Sequence, residues 1–347
     1  MDAFVPIAPT SNRHMIRPVD ERLVLAANQF VVARTSSSPT TPRMTIIAGY
    51  PWFADWGRDA MISLPGLLIQ TGRLDDARLV LETFAGSIKD GLIPNRFDDR
   101  DLHTAHYNTA DASLWFLHAL HAWIKASGGS SSPGAADLLG VAMTIIDAHL
   151  AGNCPGVRIA EDGLIEAGIE GEALTWMDAR INGVALTPRI GKPVELSALW
   201  HSGLRLIASL LDDHNQGRLL AEADRTSTSF AAFWNDDLQC CYDILTKNGK
   251  SWHGDASIRP NQIFAVSLPH SPLSTEAQRS VVETVREHLL TPYGLRTLSP
   301  TDPNYQPRFE GDMTARDTAY HNGTVWPWLI GPWCDAIART SESREQA

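Results

Sequence analysis

The sequence is poor in cysteine, has no long apolar run, and carries too little positive charge to balance its acids. Cys154, Cys240, Cys241 and Cys334 form no spaced framework, and the adjacent Cys240-Cys241 suits neither a ligand pair nor a disulfide. They are expected as reduced thiols of a cytoplasmic protein. No stretch approaches the ~20 apolar residues of a membrane span. Lys and Arg number 29 against 40 Asp and Glu, a net charge of −11. An acidic chain repels polyanions, so neither nucleic acid nor an anionic membrane is expected as a partner. A neutral polysaccharide is indifferent to that charge. No His/Cys/Asp cluster has ligand spacing, no Gly-rich loop follows a strand, and no Gly-x-Ser-x-Gly elbow occurs. Neither a metal nor a cofactor is therefore expected.

The 347 residues carry mainly helical patterning. Apolar residues recur at a 3.6-residue period over 19–34, 59–71, 74–89, 109–126, 135–150 and 194–213. The same pattern is weaker over 217–234, 258–267, 274–290 and 321–338, and 157–166 reads as a short hairpin. Residues 1–17 and 341–347 read as irregular, leaving 18–340 as the folded body. Short polar joins pair consecutive helices, as in helical bundles, solenoids and closed α/α toroids. No fixed-period repeat is visible, which argues against a solenoid. The longer joins, 36–58, 91–108, 152–193, 236–257 and 291–320, are rich in Trp, Asp, Gly, Arg and Pro. Long aromatic joins are where function is expected.

Four clusters in or beside these joins share one chemical character. Tyr50 to Asp59 includes Trp52, Trp56, Arg58 and Asp59. Tyr107 to Phe116 includes Asn108 and Asp111, with Trp115 one turn on. Leu174 to Glu195 includes Trp176, Asp178 and Glu195; the alternative reading makes Asp178 a loop carboxylate bonded to Arg180 or Arg189. Phe309 to Trp328 includes Glu310, Asp317, His321 and Trp326. Aromatic rings stack on the C–H faces of sugars, and Asp and Arg make directional bonds to hydroxyls. Apolar neighbours keep a carboxylic acid protonated, as a general acid requires, while nearby cations keep a general base ionised. Asp178 fits the first description, and Asp317 or Glu310 the second.

The motifs Gly-Tyr-Pro-Trp-Phe, Trp-Gly-Arg-Asp, Thr-Trp-Met-Asp, Arg-Pro-Asn-Gln (259–262) and Arg-Asp-Thr-Ala-Tyr-His (316–321) occur in that order. Together they resemble the bacterial and archaeal glycogen debranching enzymes of the amylo-α-1,6-glucosidase type, from about Gly49 to Pro332. The resemblance implies an all-α fold, an (α/α)6 toroid like that of glucoamylase and other six-hairpin glycosidases. It implies inverting hydrolysis of the α-1,6-linked glucose at branch points of glycogen or limit dextrin. Asp178 then matches the general acid, and Asp317, with Glu310 as the alternative, is the expected base. Arg58 and Asp59 match a pair that grips the terminal glucose; Trp52, Trp56, Asn108, Asp111, Trp176, Glu195, Asn261, His321 and Trp326 would complete the pocket. Members of that family carry a β-rich domain ahead of the helices, so a catalytic domain is expected here, served by a separate glucanotransferase. The competing readings are a toroid glycosidase for glucosylglycerate, trehalose or a mannoside, and a non-catalytic glycan-binding domain.

Overall fold

The computed structural model describes residues 4–6, 21–34, 43–50, 53–98 and 104–341. The chain divides into two compact units, Met1–Cys154 and Pro155–Ala347.

Among its described residues the first unit has the α-helices α1 (Glu21–Gln29), α2 (Gly57–Leu64), α3 (Leu74–Ala85), α4 (Ala112–Ser127) and α5 (Ala135–Leu150). The expected 19–34 helix ends early. Val31–Arg34 leaves it as a strand, pairing antiparallel with Arg43–Ile46 and with Phe4–Pro6. The β-branched Val31 and Val32 satisfy either period, and the partner strand decides. Phe4–Pro6 is therefore a strand inside a segment expected to be irregular. Helix α2 runs into a π-helical turn, Pro65–Ile69, because Pro65 has no N–H to continue the α ladder. Leu64, Leu68, Leu81, Phe84, Leu117, Leu120 and Ile146 fill the core of this unit.

The second unit contains α6 (Val194–Ala208), α7 (Asp213–Ser229), α8 (Phe264–Ser267), α9 (Thr275–His288), α10 (Met313–Tyr320) and α11 (Ile330–Thr340). Helix α6 is buried nearly all round, as its Leu, Ala, Trp and Ser faces dictate, and packs on α7. Small antiparallel ladders occupy the joins. They include the expected hairpin, Val157–Ile159 with Ile165–Ala167, and a sheet of Lys192–Pro193, Ile244–Asn248 and Ser251–Gly254. Helix α10 was not anticipated. Only Ala319 of it is buried, so it has no apolar stripe to read, and Asp312 sets its start by accepting a bond from the Ala315 N–H at 2.8 Å. The expected 321–338 helix begins only at Ile330, after the strand Val325–Trp326 and a 3₁₀ turn at Pro327–Leu329. Among the described residues no helix is long and apolar enough to cross a membrane.

Candidate active site

The predicted site residues fall into one cluster in each unit. In the first unit, Gly57 opens α2 and donates its N–H to the Asn95 carbonyl at 2.8 Å. A Cβ there would lie 2.1 Å from the Pro94 oxygen, so only glycine permits the approach. The approach brings Arg58 to the start of α4, where its Nε donates to Asp111 Oδ2 at 2.7 Å. Thr109 Oγ1 donates to Asp111 Oδ1 at 2.9 Å. Asp111 thus bonds across to another motif, and its side chain does not cap α4. Both charges are buried, a geometry that pre-orients the guanidinium. Asp59 lies in the first turn of α2 and is half-buried. Trp56 is half-buried with the Arg96 guanidinium over its ring at 5.6 Å. Asn108 is exposed and accepts a bond from Asn95. Trp52 lies outside the described residues.

In the second unit Trp176 is the hub. Its ring meets His321, Trp328 and Trp326 edge-on at 5.3, 5.2 and 6.1 Å. His321 stacks on Trp326 at 5.8 Å, and Tyr320 meets both edge-on. Such pairs are geometrically specific and fix the rings. Asp178, two residues beyond Trp176, keeps its side chain 32% exposed, with Oδ1 3.9 Å from His321 Nε2. A carboxyl that is shielded on one side and open on the other can reach a substrate. Arg180 bonds Glu172, and Arg189 bonds Glu195 and Asp243.

Beneath Trp176 runs a buried polar chain. The Trp176 indole N–H donates to Asn261 Oδ1 at 2.6 Å, and Asn261 Nδ2 donates to Asp243 Oδ1 at 2.7 Å. Asn261 Nδ2 also lies 3.6 Å from Met177 Sδ. Arg189 Nε donates to Asp243 Oδ2 at 2.9 Å, and the same guanidinium forks onto both oxygens of Glu195. Burial lowers the Arg189 pKa, but the Asp243 and Glu195 carboxylates outweigh it and raise the pKa above the ordinary arginine value. Glu195 and Asn261 were expected to line the pocket. Both are buried, at 2% and 0% exposure, and bond into the chain beneath Trp176. Asp243, two residues past the strand Cys240–Cys241, was not foreseen. Its partners lie 18 and 54 residues away, and no local pattern marks it.

His321 is anchored from behind: Arg259 Nη1 donates to the His321 carbonyl at 2.6 Å, and Nη2 to Asn322 Oδ1 at 2.9 Å. Asp317 sits one turn earlier on α10, half-buried, and α10 packs against the strand Arg180–Ile181 that follows Asp178. Glu310 is two-thirds exposed, 3.7 Å from Arg308.

A family model described as amylo-alpha-1,6-glucosidase matches residues 25–347. The chain belongs to the amylo-α-1,6-glucosidase family. It is 26% identical to a glycogen debranching enzyme of Saccharomyces cerevisiae over 87% of its own length, and spans 26% of that relative. Among solved structures, a glycosidase aligns over 92% of this chain and 78% of its own, with a TM-score of 0.59 and 13% identity. That likeness is one of fold, and with the family match it fits a helical glycosidase fold. A rhamnosidase from Klebsiella oxytoca with rhamnose bound aligns over 67% of this chain and 41% of its own, with a TM-score of 0.47 and 13% identity.

Proposed function

We propose that this chain hydrolyses α-1,6-linked glucose at branch points of glycogen or limit dextrin, with inversion, in the cytoplasm. The paired helices are then the hairpins of an (α/α)6 toroid. The observation that carries the reading is the Asp178 carboxyl, held beside Trp176 and His321 with one side open, within a chain of this family. Asp178 gives its proton to the glycosidic oxygen as the bond from that oxygen to the anomeric carbon breaks. Asp317 takes a proton from water, whose oxygen attacks the anomeric carbon from the opposite face. One water is consumed and β-glucose is released. Asp317 is preferred to Glu310 as the base because it is partly shielded and its helix ends in the Tyr320–His321 pair that builds the cage. An inverting pair needs roughly 6.5–9.5 Å between carboxyls to hold the water. A single-glucose stub presupposes a glucanotransferase acting first, as a separate activity.

The test is proton NMR at early times with a maltooligosaccharide bearing one α-1,6-glucosyl branch. Fresh β-glucose is expected. Fresh α-glucose overturns inversion, and release of glucose only from trehalose or glucosylglycerate, or of mannose only from a mannoside, overturns the branch-point assignment.

A further inference from the structure

The second unit holds a cavity of about 590 Å³ that the proposed reaction does not use. His201 and Arg205 of α6, Ser227 of α7, His270 of the α8–α9 loop, Gln278 of α9 and Arg339 of α11 line it. Arg205 lies ten residues beyond Glu195 on the same helix, which is roughly 15 Å at 1.5 Å per residue. No carboxylate lines the cavity, in a chain where acids outnumber bases 40 to 29. The nearest countercharges stand outside the lining: Asp224, exposed and paired with Arg205, and Asp335, one turn before Arg339 on α11.

Both guanidiniums are fixed and only partly used. Arg205 Nε donates to His201 Nε2 at 3.3 Å and its Nη2 bonds Asp224, which leaves Nη1. Arg339 Nε donates to the Ser267 carbonyl at 2.9 Å and Nη1 to that of Pro269 at 3.5 Å, which leaves Nη2. His270 lines the same cavity. Burial first, then the charges of Arg205 and Arg339, lower its pKa, so both guanidiniums bear on one spot. Two partly bonded guanidiniums lining one cavity that no carboxylate lines suit a phosphate. The cavity falls within the ~300–1,000 Å³ of small-molecule sites and exceeds what a bare anion fills. Gln278 Nε2 is tied to the Leu273 carbonyl at 2.9 Å, leaving its Oε1 to accept from a ligand hydroxyl, and Ser227 adds a further hydroxyl. The lining has no Trp, Tyr or Phe on which an uncharged glycan would stack.

We propose that this cavity is a binding site for a sugar phosphate, its phosphate on Arg205 and Arg339 and its hydroxyls toward Gln278 and Ser227. Binding here is independent of the branch-point reading, because no residue of the cavity belongs to the Asp178 cluster.

The experiment is titration calorimetry on the full chain with glucose 6-phosphate, inorganic phosphate and glucose, run on the native protein, Arg339→Gln and Gln278→Leu. Saturable binding of glucose 6-phosphate is expected, with glucose weaker by about tenfold or more for want of the charge-assisted bonds. Arg339→Gln is expected to weaken glucose 6-phosphate by about tenfold while leaving hydrolysis of the branched oligosaccharide unchanged. Gln278→Leu, which keeps the charges, is expected to weaken the sugar phosphate and spare inorganic phosphate. The proposal is overturned by absence of saturable binding to the native protein, or by affinity unaltered in both variants. Equal affinity for inorganic phosphate and glucose 6-phosphate also overturns it, since the cavity would then seat only a bare anion.

Discussion

Trp176 donates its indole N–H to Asn261 Oδ1 at 2.6 Å, and through that bond the orientation of the aromatic cage depends on charges buried below it. Asn261 can hold both Trp176 and Asp243 only in one amide orientation, oxygen toward the indole and nitrogen toward the carboxylate. Asp243 in turn faces Arg189, whose other carboxylate is Glu195. The chain is satisfied at every link, which is what makes such a network rigid, and removing one link strands the next.

Asp243→Ala should therefore be severe for folding. It leaves Arg189 with Glu195 as its one remaining carboxylate partner and Asn261 without its acceptor. Breaking a buried pair from one side costs about 3–5 kcal/mol. Urea denaturation should show that loss as a lower midpoint with an unchanged slope. A shift below 1 kcal/mol would mean that the network is not coupled to the fold. Asn261→Ala should be milder for folding, about 1–3 kcal/mol for the unpaired buried indole, but should cut turnover through the loosened Trp176.

On the proposed chemistry, Asp178→Asn and Asp317→Asn should each lower kcat by about 10²–10⁴-fold, the usual worth of a positioned proton donor or acceptor. Binding of the branched oligosaccharide should survive both. Glu310→Gln should change kcat by less than about tenfold, because its side chain faces solvent and Arg308. Rates measured on the three variants decide the assignment. A large loss in Glu310→Gln beside a small one in Asp317→Asn would exchange the two.

The helices that sequence periodicity located well are those with an uninterrupted apolar face. α5 spans Ala135–Leu150 as the pattern indicates, and α3 begins at Leu74 where the pattern begins. Periodicity failed where tertiary partners choose between two compatible states, as at Val31–Arg34, and where a helix buries almost nothing, as in α10. The aromatic cage was foreshadowed only in part: Trp176 lies in the 152–193 join, whereas His321 and Trp326 fall in the span expected as a helix over 321–338. The Arg58–Asp111 and Asp243–Arg189 pairs were not, since each joins motifs over 50 residues apart and no local spacing encodes the partner. Individual carboxylates were visible in the sequence; which guanidinium each would face was not.

Gly57→Ala should destabilise the first unit more than an ordinary helix substitution. Alanine is the better helix former by about 1 kcal/mol, so propensity alone predicts a gain. The added methyl would stand 2.1 Å from the Pro94 carbonyl oxygen, an atom of the backbone that cannot rotate aside. Moving α2 away breaks the Gly57 N–H bond to Asn95 and pulls Arg58 from Asp111. Overpacking of this kind costs about 1–3 kcal/mol. Thermal melting that shows a higher Tm for Gly57→Ala would refute the close approach.

Two buried histidines should make the fold acid-sensitive. Burial lowers the pKa of His149 from 6.5 to about 4, against the bond between Nδ1 and the Ile145 carbonyl, at 2.8 Å. Burial likewise lowers that of His201 to about 4, with Arg205 adding to the shift; its Nδ1 bonds the Ala223 carbonyl while its Nε2 accepts from Arg205. Each ring is held neutral when folded, whereas the unfolded chain takes up the proton near pH 6.5. Between pH 6.5 and about 4 the unfolded state thus binds more protons, and stability must fall as pH falls. Above pH 6.5 these groups add no slope. The full effect approaches about 3 kcal/mol per ring. Tm measured from pH 8 to 4 should be flat at first and then decline below about 6.5. His149→Leu should flatten part of that decline, and an unchanged slope in this variant would show that His149 is not the group being protonated.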